Sequence, residues 1–135
     1  MNVIVCIDDN NGMLFGGRRQ SRDVALCERV LEISKNSILR MNGYSYELFK
    51  NLSAANIKVN ESFLKRAKKG DFCFIENRSF AEVINDIEKV IVYRWNRSYP
   101  SDVKFNTAIL DNKSLLSTTD FIGNSHEKIT EEVYG

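Results

Sequence analysis

Two runs in this chain, "VIVCI" at Val3–Ile7 and "KVIVYRW" at Lys89–Trp95, are apolar at consecutive positions and rich in β-branched residues. Runs of that length and composition read as strands buried within a sheet. The stretches between such strands show helical spacing. Val24, Cys27, Val30 and Leu31 recur on one helical face through about Ser34. Ser21 is expected to cap that helix, with Asp23 in its first turn, where a negative charge suits the helix dipole. Strands alternating with helices imply a mostly parallel α/β sheet built from right-handed crossovers and flanked by helices.

The remaining segments extend this pattern. "DDNNG" (Asp8 to Gly12) is a turn cluster whose Asn-Gly pair favours positive φ. "SILRM" predicts a short strand ending at Met41, Tyr44 to Lys50 a short helix, and "NIKV" another strand. Asn60 is expected to cap a helix over "ESFLKRAKK", with Val59 and Leu64 as its hydrophobic staple and Lys68, Lys69 and Gly70 at its end. "DFCFIE" predicts a strand and Ser79 to Ile87 a helix; the only proline, Pro100, falls in a loop. From Asp102 onward, "VKFNTAI", "SLLST" and the stretch His126 to Tyr134 predict short strands without helices between them. They should add antiparallel strands at one edge of the sheet.

A chain of 135 residues is expected to form one domain over residues 1–135, large enough to need no disulfide or metal staple. The formal net charge is +1, so no bulk field steers the chain to nucleic acid or acidic lipid. No apolar run approaches the ~18 residues of a membrane span, and no signal-peptide pattern opens the chain. Cys6, Cys27 and Cys73 are few, scattered and set in apolar stretches, which fits reduced core thiols and a cytoplasmic location. His126 is the only histidine, so no metal site is expected. A Ser-His-Asp triad would have to use His126 in "GNSHEK", where an exposed polar residue is the simpler reading.

The order of these motifs resembles the dihydrofolate reductase family. "VIVCIDDNNGM" is similar to that family's first strand and Asn-Gly-type loop, and "SRDV" to the opening of its first helix. "RMNGYSYELF" resembles its Met-Gly-Arg-Lys-Thr-Tyr segment, "DFCFIEN" its strand ending Ile-Gly-Gly, and "VIVYRWNRSYPSDVKF" its later strand and Asp-x-x-Phe return. The likeness spans nearly the whole chain; one strand-loop segment near Ser53 is missing. It implies a dihydrofolate reductase-like fold. It also places Asp23 where the family has a carboxylate that binds the pterin N–H groups and helps deliver a proton. By this resemblance a small heterocyclic or anionic ligand would sit between Ile7, Asp23, Met41 and Trp95, with Ser45 beside it and Arg18 and Arg19 closing the mouth.

The same comparison exposes departures. Gly17 and Arg18 replace the Pro-Trp pair that walls the pterin site. The positions where the family grips a nicotinamide cofactor's phosphate with Arg-Lys-Thr read Gly43, Tyr44 and Ser45. Ile75 is followed by Glu76 and Asn77 in place of two glycines, so a carboxylate stands where pyrophosphate would approach the backbone. The expectation is a retained scaffold with a degenerate cofactor site, with no cofactor expected because the residues that would hold NADPH are missing, and without normal reductase activity; an unusual retained reductase activity is the alternative.

Two further constellations bear on partners. Arg18, Arg19 and Arg22, with Arg40, Arg94 and Arg97, would form an anion-binding cluster if they converge. A solvated basic loop balanced by Asp8, Asp9 and Asp23 is the simpler account. Tyr93, Trp95 and Tyr99 interleave with Arg94 and Arg97 as in nucleic-acid binders, but Tyr93 and Trp95 share one strand face, which more commonly packs a core. A nucleic-acid-binding accessory protein and a structural interaction module are therefore the alternatives to a ligand-binding protein.

Overall fold

A computed structural model describes all residues 1–135. Its main sheet has seven strands in the order β5-β4-β6-β1-β7-β10-β9. The strands are β1 (Asn2–Ile7), β4 (Leu39–Met41), β5 (Ile57–Val59), β6 (Phe72–Phe74), β7 (Lys89–Arg94), β9 (Leu115–Phe121) and β10 (Ile129–Tyr134). Strands β5, β4, β6, β1 and β7 run parallel, and β10 and β9 pair antiparallel beyond β7. A small ribbon of β2 (Gly12–Phe15), β3 (Arg18–Arg19) and β8 (Val103–Lys104) lies outside it in the order β3-β2-β8. The helices are α1 (Val24–Ser34), α2 (Gly43–Phe49) and α3 (Phe63–Arg66). This is the mostly parallel α/β architecture with an antiparallel C-terminal edge. No helix is long and apolar enough to cross a membrane.

The side-chain alternation of β1 and β7 divides the core into two layers. Val3, Val5, Ile7, Val90 and Val92 face one cluster with Phe63 and Phe105. Ile4, Ile91, Tyr93 and Trp95 face the other, against Leu26, Cys27 and Val30 of α1. Tyr93 and Trp95 thus share a core-packing face. Each fully buried aliphatic side chain contributes roughly 1.5–3 kcal/mol, so the two central strands dominate the fold's stability. The turn after β1 carries Asn11 at φ 63, the left-handed conformation the Asn-Gly pair favours. Buried Asp8 holds this turn by accepting from the amides of Asn10 (2.9 Å), Gly12 (2.7 Å) and Tyr99 (2.9 Å).

Several local expectations are corrected. Asp23, not Ser21, is the N-cap of α1: its backbone is extended and its Oδ1 accepts from the Leu26 amide at 3.0 Å. The helix expected over 61–69 shrinks to the four residues of α3, and Ala67 is already extended. Asp71 accounts for the early end. Its carboxylate accepts from the Lys68 amide at 2.9 Å and from Arg40 at 2.7 Å, drawing the chain out of helical geometry. Asn60 bonds the Ser62 amide instead of capping a long helix, and Val59 is exposed, so no staple closes on Leu64. The segment expected as a helix over 79–87 is a 3₁₀ turn, Ala81–Asp86, none of whose residues is buried. Of this turn only half-buried Val83 packs against the core, too narrow an apolar face to stabilise a longer helix. "VKFNTAI" is strand only at Val103–Lys104; Thr107–Leu110 is a 3₁₀ turn started by the Asn106 side chain, which accepts from the Ala108 amide at 3.1 Å.

Candidate functional site

The C-terminal ends of the parallel strands converge where β1, β4 and β6 give way to loops. That end is where open α/β sheets place ligands. Glu76 leaves β6 one residue beyond buried Ile75 and meets Arg19, which the β2–β3 ribbon turns inward. Arg19 Nε and Nη2 donate to Glu76 Oε2 and Oε1 at 2.9 and 3.0 Å. Both side chains are only 10% exposed. Ser45 Oγ, fully buried in α2, donates to Glu76 Oε1 at 2.8 Å. Tyr44 completes the enclosure: its carbonyl accepts from Arg19 Nη2 at 3.0 Å, and the guanidinium carbon lies 4.2 Å from its ring centroid. Burial alone would lower the Arg19 pKa, but the bond and charge of Glu76 outweigh it and hold the guanidinium above its ordinary value.

Asp23 lies deeper, at the start of α1. Besides capping the helix, its Oδ2 accepts from the amide and hydroxyl of Ser125 at 2.7 and 2.8 Å. Burial pushes its pKa up, but the bonds from Ser125 and Leu26 prevail and hold the carboxyl below the usual range. From Ser125 the chain continues to His126, whose Nδ1 is 2.6 Å from Ser125 Oγ and whose Nε2 is 2.6 Å from the Tyr99 hydroxyl. His126 is buried and stacks on Trp95, with ring centroids 4.8 Å apart. Burial and the positive charge of Arg97 push its pKa down.

The proton directions in this relay follow from valence. Ionised Asp23 only accepts, so the Ser125 proton points to it. Ser125 Oγ then accepts from His126 Nδ1–H, which leaves Nε2 to accept from Tyr99. A nucleophilic serine needs the opposite polarity, with histidine accepting its proton. Asp23, Ser125 and His126 therefore meet as a structural lock between α1 and the β9–β10 loop, and His126 is not the exposed residue the sequence suggested.

The sequence-derived candidates separate into groups. Arg19, Asp23 and Trp95 line one hollow of about 20 Å³, room for roughly one water molecule. Ser45 reaches it through Glu76. Ile7 and Met41 are fully buried on opposite core layers, and Arg18, Arg19 and Arg22 together line a second, open hollow beside Tyr44. Arg40 and Arg94 are tied to Asp71 and Glu132, so the six arginines do not converge. The thiols are not poised for nucleophilic chemistry: burial pushes Cys27 and Cys73 up to about 12 and Cys6 well above its usual value. Sequence reasoning placed Glu76 at a glycine position but missed its partner. The available signal was the group of Arg18, Arg19 and Arg22 in the first loop, any of which could neutralise a carboxylate at the end of an apolar strand.

This order of strands, helices and loops is the dihydrofolate reductase fold. The dihydrofolate reductase of Enterococcus faecalis, solved with NADP(H) and RAB-propyl, matches with a TM-score of 0.68 at 12% sequence identity, over 98% of this chain and 94% of that one. No protein-family model and no curated protein matches the sequence.

Proposed function

We propose that this chain is a dihydrofolate reductase-fold protein that binds a small heterocyclic or anionic ligand and does not carry out NADPH-dependent reduction. The observation that carries this reading is the Arg19–Glu76 pair, with Ser45 donating to the same carboxylate. By the family resemblance, that position is a glycine turn over which a cofactor's pyrophosphate passes. Here that position carries the Glu76 side chain in place of open backbone, and Arg19, bonded to it bidentately, is not free to pair with a diphosphate. Gly43 and Tyr44 offer no cation to replace the family's phosphate grip, and losing charge-assisted contacts of that kind removes several kcal/mol of binding. The residues present do not fit the cofactor.

Asp23 supports the same reading. Both its oxygens are already engaged by protein donors, and a carboxyl held below its ordinary range is a poor proton donor at neutral pH. Its role in this account is to lock the start of α1 to the β9–β10 loop. A nucleic-acid reading has less support, because Arg19, Arg40 and Arg94 are paired with carboxylates and Tyr93 and Trp95 are buried.

The test is a spectrophotometric assay following NADPH oxidation at 340 nm with dihydrofolate, for the wild-type chain and for Glu76→Gly. Neither protein should turn over above background, since the glycine does not restore the missing cations. Turnover by the wild-type chain would overturn it.

A further inference from the structure

The two edges of the main sheet differ in kind. One edge, β5, is three residues long and carries exposed Lys58. Shortness and a lysine are devices that keep a sheet edge from pairing with another chain. The other edge, β9, runs for seven residues, Leu115–Phe121, six of them exposed. It contains no lysine, arginine or proline, and Asp120 is its only charged residue. That carboxylate already accepts from Thr130 Oγ1 at 2.7 Å. The irregularity in the ladder between β9 and β10 lies at Leu115–Leu116, opposite Tyr134, so Ser117–Phe121 stays regular.

The backbone of this regular stretch is only half engaged. Ser114 and Gly135 exchange both their backbone bonds, at 2.9 and 3.0 Å. Counting back along β10 in steps of two, Val133, Glu131 and Ile129 face Ser117, Thr119 and Phe121 with the same reciprocal geometry. Thr118 and Asp120 therefore turn their N–H and C=O groups away from β10, toward solvent. An unpaired row of this kind is a template for a further strand.

Run antiparallel, the strand is complementary to itself. With a two-fold axis at Thr119, Thr118 of one copy lies opposite Asp120 of the other, where the hydroxyl can donate to the carboxylate. Leu116 then meets the Ile122 of the second copy; these side chains are 55% and 81% exposed in the single chain. The two Asp120 carboxylates fall on opposite sides of the axis, so like charges are not opposed. A formal net charge of +1 gives two copies little mutual repulsion.

We infer that β9 is a dimerisation edge: two copies of this chain pair β9 to β9, antiparallel about Thr119, and join their sheets into one. Because the β5 edge is protected, assembly closes at two copies. This goes beyond the proposed function and does not rest on it.

Sedimentation velocity from micromolar to millimolar chain, with amide hydrogen exchange, tests it. A monomer–dimer equilibrium is expected. The amides of Thr118 and Asp120 should exchange at least ~10-fold more slowly in the dimer than in the dilute monomer. Thr119→Lys sets two ammonium groups side by side at the axis and should weaken the dimer at least ~10-fold, while the exposed position leaves the far-UV circular dichroism spectrum unchanged. Thr119→Cys should form an intermolecular disulfide under mild oxidation, because opposed residues at a non-hydrogen-bonded position have Cα atoms about 4.5 Å apart. Lys58→Cys, on the protected edge, should not. A chain monomeric over the whole range, oligomers beyond the dimer, a dimer that Thr119→Lys leaves intact, or Thr118 and Asp120 amides that exchange equally fast in monomer and dimer would each overturn the inference.

Discussion

Removing the carboxylate of Glu76 should be among the most destabilising single changes in this protein. In Glu76→Ala, Arg19 loses two charge-assisted bonds and fully buried Ser45 loses its acceptor. Breaking a buried ion pair by deleting one partner typically costs about 3–5 kcal/mol, because the other charge stays behind. Arg19 keeps the Tyr44 carbonyl and ring, and the adjoining hollow can admit a water. The expected cost is therefore near the low end, about 3 kcal/mol, or roughly 10 °C in melting temperature for a domain of this size. The double variant Arg19→Met/Glu76→Met removes both charges and retains bulk but still leaves buried Ser45 without its acceptor, so it should cost about 1–2 kcal/mol, less than Glu76→Ala. Urea unfolding followed by far-UV circular dichroism measures all three free energies. If Glu76→Ala unfolds within ~0.5 kcal/mol of wild type, the pair is solvent-screened and does not fill the cleft.

Other perturbations follow from the same contacts. His126 binds a proton less readily in the fold than in the unfolded chain, so between its lowered folded value and about 6.5 the unfolded state takes up the extra proton. Stability should thus fall as pH drops below about 6.5, and His126→Phe should flatten that slope in pH-dependent urea melts; an unchanged slope would contradict the lock. Below about pH 4, both proteins should lose the stability supplied by Asp8, Asp23, Asp71 and Glu131, whose pKa values are all depressed. Glu131 is buried and accepts from Arg29 at 2.7 and 2.9 Å and from the Tyr93 hydroxyl at 2.8 Å. Glu131→Gln should cost about 2–4 kcal/mol, against about 1 kcal/mol for Tyr93→Phe, as read from chemical denaturation. A side chain at Gly123 would meet Asp23 Oδ2 and Ile129 Cδ1 at 2.6 Å, so Gly123→Ala should cost about 1–3 kcal/mol and raise amide exchange at Ser125.

What the sequence disclosed depended on how local each cause was. Val3–Ile7 and Val90–Val92 are legible because consecutive β-branched residues encode a doubly covered strand in a few positions. The face shared by Tyr93 and Trp95 follows from the same period of two. The shortened α3 was not legible. Its residues suit a helix, and it ends because Asp71 captures the Lys68 amide while pairing with Arg40, which lies 31 residues earlier in the chain. The site shows the same division. The mismatch of Glu76 with a glycine turn can be seen by position, but its pairing with Arg19 spans 57 residues. Asp23 was found by resemblance, whereas the bonds that engage it come from Ser125, 102 residues away. Two residues, Ser21 and Asp23, compete locally to cap α1, and that distant contact favours the aspartate.

In the proposed reading the protein has kept the fold and lost the groups that would hold a dinucleotide. Isothermal titration of NADPH into the wild-type chain at low salt, where phosphate contacts are strongest, tests it most directly. No saturable heat is expected up to millimolar cofactor; a one-to-one isotherm with a micromolar dissociation constant would refute the proposed loss of cofactor binding.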